Sequence, residues 1–191
     1  MSNIDEFKAN LIGGGARANQ FRVTITPPSG INFIGLVTRR TSFLVKAAAL
    51  PTRAITEIPL KFRGRTIYLA GDAAEPEPWE VTFYNDTDFM IKTAIENWSN
   101  GINDFVEATG VTAPSDYQTD LMVEQLDRSG AVLKKYILRN CWPTTSGSAI
   151  ELSMDSESTV EEFSVSWRYQ HFEASGVQAA LSISGGEDEA A

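Results

Sequence analysis

Cys141 and His171 are the only cysteine and the only histidine in this chain of 191 residues. A thiol beside an imidazole can act as a nucleophile and its base, and these two could meet across neighbouring strands. Both residues lie at positions that the pattern assigns to apolar strand faces, where packing is the common role. One cysteine and one histidine also exclude a zinc–cysteine pair and a multi-histidine metal site within one chain. We therefore expect no catalytic set, no metal and no cofactor.

Two further motifs invite a chemical interpretation. The three glycines at 13–15 suggest a phosphate loop, but they follow no strand pattern and lack a terminal Gly-Lys-Ser/Thr. We interpret them as part of a flexible arm. Asn85, Asp86 and Asp88 suggest a calcium loop, but the later glycine and terminal glutamate of such a loop are missing. Capping of a following helix explains them better.

The chain is acidic, with 16 Lys and Arg against 25 Asp and Glu and a net charge of −9. An acidic surface repels phosphate backbones and anionic lipid, so we expect no stable binding to DNA or to membranes unless the basic residues cluster. No apolar run approaches the roughly 20 residues of a membrane span. The first ten residues carry Asp5 and Glu6 and no signal-like apolar region, so we expect folding in a cytoplasm.

Alternation of apolar and polar residues recurs along the chain and predicts strands. The patterns lie at residues 20–26, 43–47, 58–62, 79–84, 150–154 and 161–172. Residues 121–142 indicate a hairpin with its turn at 127–130. Its returning strand is apolar on both faces, with Leu138 and Trp142 on one face and Cys141 on the other.

One helix is predicted, from Thr87 to Asn100, with Gly101 at its C-terminal cap. Its apolar positions form a single stripe: Ile91, Ala94, Ile95, Trp98 and Ile102. The sum is a mainly β fold, an antiparallel β-barrel or two packed sheets with one flanking α-helix. We expect one domain at 1–173, with a flexible N-terminal arm at 1–19 and a disordered acidic tail at 174–191.

Two longer stretches carry a resemblance. The first is Lys46–Pro51 with Ile58–Arg65, Ala70-Gly71-Asp72 and Trp79–Thr82, and the second runs from Cys141-Trp142-Pro143-Thr144 to Val160–Tyr169. In this order and spacing they resemble the tail tube proteins of contractile-tailed bacteriophages, over about residues 15–173. The insert at 30–40 and the tail beyond 173 depart from that pattern, so we assign no sheath-contacting residues.

The resemblance implies a structural virion protein that is assembled in the host cytoplasm. Hexameric rings, joined into a continuous inner β-barrel, would stack into the tail tube, the conduit for genome ejection inside the sheath. The implied partners are further copies of the chain, the tail sheath, baseplate and tail terminator proteins, and the tape measure protein and transiting DNA in the bore.

Two groups of residues are candidates for these contacts. The polar side of the strand at 161–172 suits the wall of a water-filled bore: Ser164, Ser166, Arg168 and Gln170. Basic residues are candidates for subunit or ring contacts: Arg39, Arg40, Arg53, Arg63, Arg65, Lys135 and Arg139. The net negative charge fits an acidic bore through which DNA slides without binding, and equally fits a device for subunit solubility.

Other functions remain open at this point. A tube subunit of a type VI secretion system or an extracellular contractile injection system would share the fold and the role. A monomeric β-barrel ligand-binding module would instead have a closed apolar pocket and no self-assembly. An enzyme is the third alternative and lacks a catalytic constellation.

Overall fold

A computed structural model describes residues 4–11, 15–29, 36–155, 157 and 159–176. The predicted tail from 177 onward, the start of the insert at 30–35 and most of the glycine run lie outside these residues. The described chain forms these helices and strands: α1 (Ile4–Asn10), β1 (Phe21–Ile25), α2 (Leu36–Leu44), β2 (Val45–Ala48), β3 (Ile55–Phe62), β4 (Arg65–Ala73), β5 (Trp79–Tyr84), α3 (Met90–Ile102), α4 (Pro114–Tyr117), β6 (Thr119–Leu126), β7 (Val132–Pro143), β8 (Glu162–Arg168) and β9 (His171–Ala174).

Seven strands form one antiparallel sheet in the order β1-β6-β7-β8-β5-β2, with β9 also paired to β7. The long strand β7 joins two halves, because it pairs with β6 and β9 along most of its length and with β8 only at Trp142 and Pro143. The remaining strands, β3 and β4, form a separate hairpin. The predicted mainly β, antiparallel fold is confirmed, with more helices than the one expected.

The core lies between the two halves of the sheet. Alternate residues of β5 and β8 are buried and face it, and Phe83 stacks on Phe163 at a centroid distance of 5.5 Å. From α3, Trp98 contacts Trp167 edge-on at 5.2 Å, so this helix closes over the core. Burial of each such large side chain contributes about 1.5–3 kcal/mol. The alternation in the sequence therefore identified the core face of these strands correctly.

The backbone of β7 departs from regular alternation at Asn140, whose φ is +55°. A three-residue step along β7, from Leu138 to Cys141, lies opposite a two-residue step along β6, from Leu121 to Thr119, which is a β-bulge. Leu138 and Cys141 consequently share the buried face. The prediction that they lie on opposite faces was wrong. The extra residue of the bulge shifts the alternation of buried and exposed positions along β7 by one residue.

Helix α3 carries the predicted stripe, and Ile91, Ala94, Ile95 and Trp98 are buried. Its ends differ from the prediction. The N-cap is Phe89, in a left-handed conformation without a side-chain cap, and Gly101 lies inside the helix, which ends at Ile102. Asp86 instead closes a turn, in which its carbonyl accepts from the N–H of Phe89 at 2.9 Å.

Three other segments differ from the sequence interpretation. Phe43 lies in the last turn of helix α2 and is not part of a strand, and residues 4–10 of the predicted arm are helical with no buried residue. Residues 150–154 form no strand. The pattern at 161–172 is two strands separated at Tyr169 and Gln170, and the second strand ends one residue beyond the domain boundary set at 173.

Candidate assembly surfaces

Cys141 and His171 do not form a reactive pair. Cys141 is fully buried, and its thiol donates to the carbonyl of Leu138 at 3.3 Å. Burial raises the pKa of this thiol to about 12, so it stays protonated and unreactive at neutral pH. His171 is exposed and stands opposite Arg139, contrary to the apolar position predicted for it. Within the described parts of the chain, no group of three or more His, Cys, Asp or Glu could hold a metal ion.

The polar side of β8 faces away from the core. Ser164 and Ser166 alternate with buried Val165 and Trp167, and Ser164 shares a hydrogen bond of 2.9 Å with Thr82 of β5. Arg168, on the same side, pairs with Glu75 at 3.2 Å. The fourth predicted residue, Gln170, lies at the bend between β8 and β9 and not on a strand.

Two of the candidate contact residues are engaged within the subunit. Arg40 pairs with Asp88 at 2.6 Å and with Asp86 at 3.4 Å, which ties α2 to the start of α3. The hydrogen bond from Arg40 lowers the pKa of Asp88. Arg139 pairs with Asp120 and Glu173 and so links β6, β7 and β9. Hydrogen bonds to these two carboxylates raise the pKa of its guanidinium.

The other candidate basic residues form no ion pair with another described residue. Arg53, Arg63 and Arg65 are exposed on or beside the β3–β4 hairpin, and Arg63 lies over the ring of Phe62 at 5.4 Å. Arg39 is exposed on α2, and Lys135 lies on β7, where its backbone N–H donates to Ser175 at 3.0 Å. The structure therefore leaves the hairpin cations available for a partner.

The β3–β4 hairpin carries an uncovered apolar surface. Its turn is Arg63-Gly64, with φ of +44° and +80°, the left-handed pair that a two-residue hairpin loop needs. Residues that lie directly opposite each other on β3 and β4 have their side chains on the same face of the hairpin. On one of the two faces these side chains are mostly apolar. We call this side the hairpin face; it comprises Ile58, Leu60, Phe62, Ile67 and Leu69, all exposed by 46% or more.

Sequence reasoning found β3 but missed β4, and so missed the hairpin face. The available signal was the glycine at 64 between two alternating apolar runs. It was overlooked because Arg-Gly is less typical of such turns than Asn-Gly or Asp-Gly.

The main sheet ends in open strand edges. Among the described residues, β1 pairs only with β6 and β2 only with β5, so each has one unpaired side. Unpaired edges present backbone N–H and C=O groups that readily bind another chain.

Comparison with known proteins finds that this chain is similar to phage tail tube proteins. A family model described as phage tail tube protein matches residues 16–175. The tail tube protein gp19 of Enterobacteria phage T4 is 31% identical over 171 residues, which are 88% of this chain and 98% of gp19. The tail tube protein of Serratia phage KSP90 is 29% identical over 171 residues, covering 88% of this chain and 95% of the phage protein.

Solved structures show the same fold at lower identity. A chain of the anti-feeding prophage baseplate aligns with a TM-score of 0.61 at 14% identity, over 86% of this chain and 97% of that one. A chain from the sheath/tube terminator of an extracellular contractile injection system aligns with a TM-score of 0.57 at 13% identity, over 85% and 96%. Among the described residues, no helix is long and apolar enough to cross a membrane.

Proposed function

Because the chain belongs to the phage tail tube protein family, we propose that its copies form hexameric rings that stack into the inner tube of a contractile tail. It is a structural virion protein and not an enzyme. The observation that carries the proposal is the family match over nearly the whole chain. The open edges of β1 and β2 support it, because pairing between copies would satisfy their free backbone groups.

The polar side of β5 and β8 supplies the wall of the bore in this proposal. Ser164, Ser166 and Thr82 offer hydroxyls there, beside the partly exposed ring of Tyr84, which suits a water-filled channel. The charges of Lys46 and Arg168 on this side are paired with carboxylates, while Glu80 forms no ion pair with a described residue. Because the cations on this side are neutralised and one carboxylate is not, the wall of the bore would not attract and retain DNA.

Further partners follow from the tube role. Structures of similar fold were determined in a baseplate and with a sheath/tube terminator, which supports contacts of this chain with the corresponding tail proteins. The sheath would cover the outside of the tube, and the tape measure protein and then DNA would occupy its bore.

A tube of a secretion or injection system is the second candidate. The phage tail is favoured, because the relatives at 29–31% identity are phage tail tube proteins, whereas the likeness to the injection-system structures, at 13–14% identity, shows the fold alone. A monomeric binding module would leave the hairpin face and both open edges without a partner.

Electron microscopy of the purified, concentrated chain tests the proposal. We expect hollow tubes or rings with six-fold symmetry, and antibody against the chain should label the tail tube of contracted virions. Protein that remained single molecules at about 100 μM, together with unlabelled virions, would contradict the proposal.

A further inference from the structure

We propose that the segment after Gly176 adds a third strand to the β3–β4 hairpin of its own subunit, along the free edge of β4. The strand comprises residues 177–184, and the acidic residues 187–189 then lie beside the basic tip of the hairpin. The family match ends at residue 175, so the docking segment lies beyond the part of the chain that is shared with the family. The inference concerns the single subunit and does not depend on the proposed tube function.

The hairpin lacks the neighbours that a stable sheet needs. A two-stranded hairpin is marginally stable alone in water, whereas three strands with an apolar face can be stable. None of the eight residues of β3 is buried, and among the described residues β3 and β4 pair only with each other. The outer edge of each strand therefore presents unpaired backbone N–H and C=O groups.

A proline distinguishes the two edges of the hairpin. Pro59 lies in β3 and has no N–H, and a proline in a sheet directs its nitrogen away from the paired strand. The outer edge of β3 therefore lacks a donor in the middle of the strand. No proline interrupts β4, which runs from Arg65 to Ala73. The edge of β4 is consequently the better template for a further strand.

The sequence after Gly176 has the pattern of a strand with one apolar face. Residues 177–184 alternate between apolar and small or polar side chains. The apolar positions are Val177, Ala179, Leu181 and Ile183. This pattern is as long as β3, and it ends at the glycines 185 and 186. An extended segment of this kind binds an open sheet edge through its main chain, with alternate side chains on the apolar face.

The topology places both segments at the same end of the sheet. Trp79, at the start of β5, lies opposite Trp167, near the end of β8, so the hairpin leaves the sheet where the chain continues towards Gly176. Arg168 pairs with Glu75, at the base of the hairpin, at 3.2 Å. Residues 177–191 lie outside the described residues and span up to about 50 Å when extended, whereas β4 is about 30 Å long. The segment is therefore long enough to reach and follow β4 in its own subunit.

The charges of the two segments are opposite in sign. Residues 53–70 contain four basic side chains and one acidic side chain. Lys61, Arg63 and Arg65 lie at the tip of the hairpin, and none of them forms an ion pair with another described residue. Residues 185–191 contain three acidic side chains and no basic one. Attraction between the acidic end and the basic tip sets the direction of the added strand, which runs antiparallel to β4 from the base of the hairpin to its tip.

The third strand gives the hairpin a defined shape in the single subunit. It extends the hairpin sideways, so the hairpin face stays free for another molecule. A surface that is ordered in advance loses less conformational entropy when it binds. The segment thus positions the hairpin before it meets a partner.

Hydrogen exchange of the dilute, unassembled, full-length protein tests the added strand. We expect protection of the amides of residues 177–184 and of β4. Variant L181S/I183S should lower both protection factors about tenfold, because it removes the apolar contacts of the added strand. Variant S182A/S184A changes the opposite side of the same strand and is the matched control, which should exchange as wild type does. Unprotected amides at 177–184 in wild type, or equal protection in L181S/I183S and wild type, would overturn the proposal.

Zero-length carbodiimide cross-linking tests which residues meet and whether they belong to one subunit. The carboxylates of Glu187, Asp188 and Glu189 should couple to the amine of Lys61. An equimolar mixture of unlabelled and ¹⁵N-labelled protein should give this product without mixed-isotope pairs, as expected for a contact within one subunit.

Two variants control the cross-linking. K61R should lose the product and keep the protection of β4, because the positive charge remains. E187Q/D188Q/E189Q should lose the product and part of the protection. Mixed-isotope products would show docking between copies, and coupling to Lys134 or Lys135 alone would place the segment beside β7; either result contradicts the proposal. Both measurements use single subunits, so their failure leaves the tube function standing, and a failure to form tubes leaves them unaffected.

Discussion

The backbone N–H of Asn140 donates a hydrogen bond to Oδ1 of Asp120 at 3.1 Å. This bond lies at the β-bulge where β7 passes from one half of the sheet to the other. Asp120 also pairs with Arg139, so one carboxylate holds both the bulge and the adjacent cation. A β-bulge bends the strand that contains it, so the Asp120 carboxylate stabilises β7 at this bend.

Substitution of Asn140 tests the bulge. Asn140→Val should lower the free energy of unfolding by about 1–2 kcal/mol, because a β-branched residue is strained at φ +55°. Asn140→Gly should change it by less than about 1 kcal/mol, since glycine adopts positive φ freely. Urea unfolding of dilute, unassembled protein, followed by tryptophan fluorescence, measures both. L133V, on an exposed part of β7, is the control, and equal stability of N140V and N140G would contradict the strained backbone.

The pairing of Glu173 with Arg139 predicts a pH dependence. Hydrogen bonds from Nε (3.1 Å) and Nη2 (2.9 Å) of Arg139 lower the pKa of Glu173 below its usual 4.5. Its stabilising contribution is therefore complete above the usual pKa and is lost as the pH falls through the folded-state value. Glu173→Gln should destabilise β9 at neutral pH and remove this part of the acid sensitivity.

Hydrogen exchange of the β9 amides between pH 7 and pH 3 measures the effect. E80Q is the matched control, because Glu80 is an exposed carboxylate without an ion pair to a described residue. An identical loss of protection on acidification in wild type and E173Q would exclude the role assigned to Glu173.

The two contacting tryptophans should respond differently to replacement by phenylalanine. Nε1 of Trp98 donates to the carbonyl of Tyr117 at 2.8 Å, whereas the buried Nε1 of Trp167 has no partner among the described residues. Trp98→Phe should therefore cost about 1 kcal/mol more than Trp167→Phe, since only the first leaves a broken hydrogen bond. Thermal or urea unfolding measures the loss of stability in both variants. Equal losses would contradict a stabilising role for the hydrogen bond of Trp98.

Gly71 lies at a bulge in β4, where a Cβ atom would come within 2.6 Å of Thr56 Oγ1 and 3.0 Å of the Thr56 carbonyl oxygen. Gly71→Ala should distort the hairpin and lower the yield of assembled tube. The melting of the subunit should change little, because the hairpin contributes no residue to the core. T66A, also on β4, is the control. Wild-type assembly of G71A would show that the hairpin tolerates the distortion or takes no part in assembly.

The fold class was predictable from the segments in which buried and exposed residues recur with the period of a strand or a helix. β1, β5 and β8 were recognised from alternation, since each has one face on the core and one outside it. The stripe of α3 was recognised for the same reason, although its ends were not. Phe89 occupies the N-cap position with a left-handed backbone and no side-chain hydrogen bond, so its residue type does not predict this role.

The candidate contact residues were predictable only as residue types. The sequence shows that Arg40, Arg63 and Arg139 are basic, but not that Arg40 and Arg139 find carboxylates inside the subunit while Arg63 does not. The acidic partners of Arg139 are 19 and 34 residues away along the chain. Such pairings are set by strand register, which single-sequence patterns do not specify.

The sequence by itself determined the mainly β class and the core side of the regular strands, because these depend on residue type and local period. Only the tertiary structure decided the phase of β7 after Asn140, the projection of the β3–β4 hairpin and the exposure of residues 150–154. The physical reason is that these features depend on which segments become neighbours. An apolar strand pattern is the same whether its partner lies in its own subunit or in another copy.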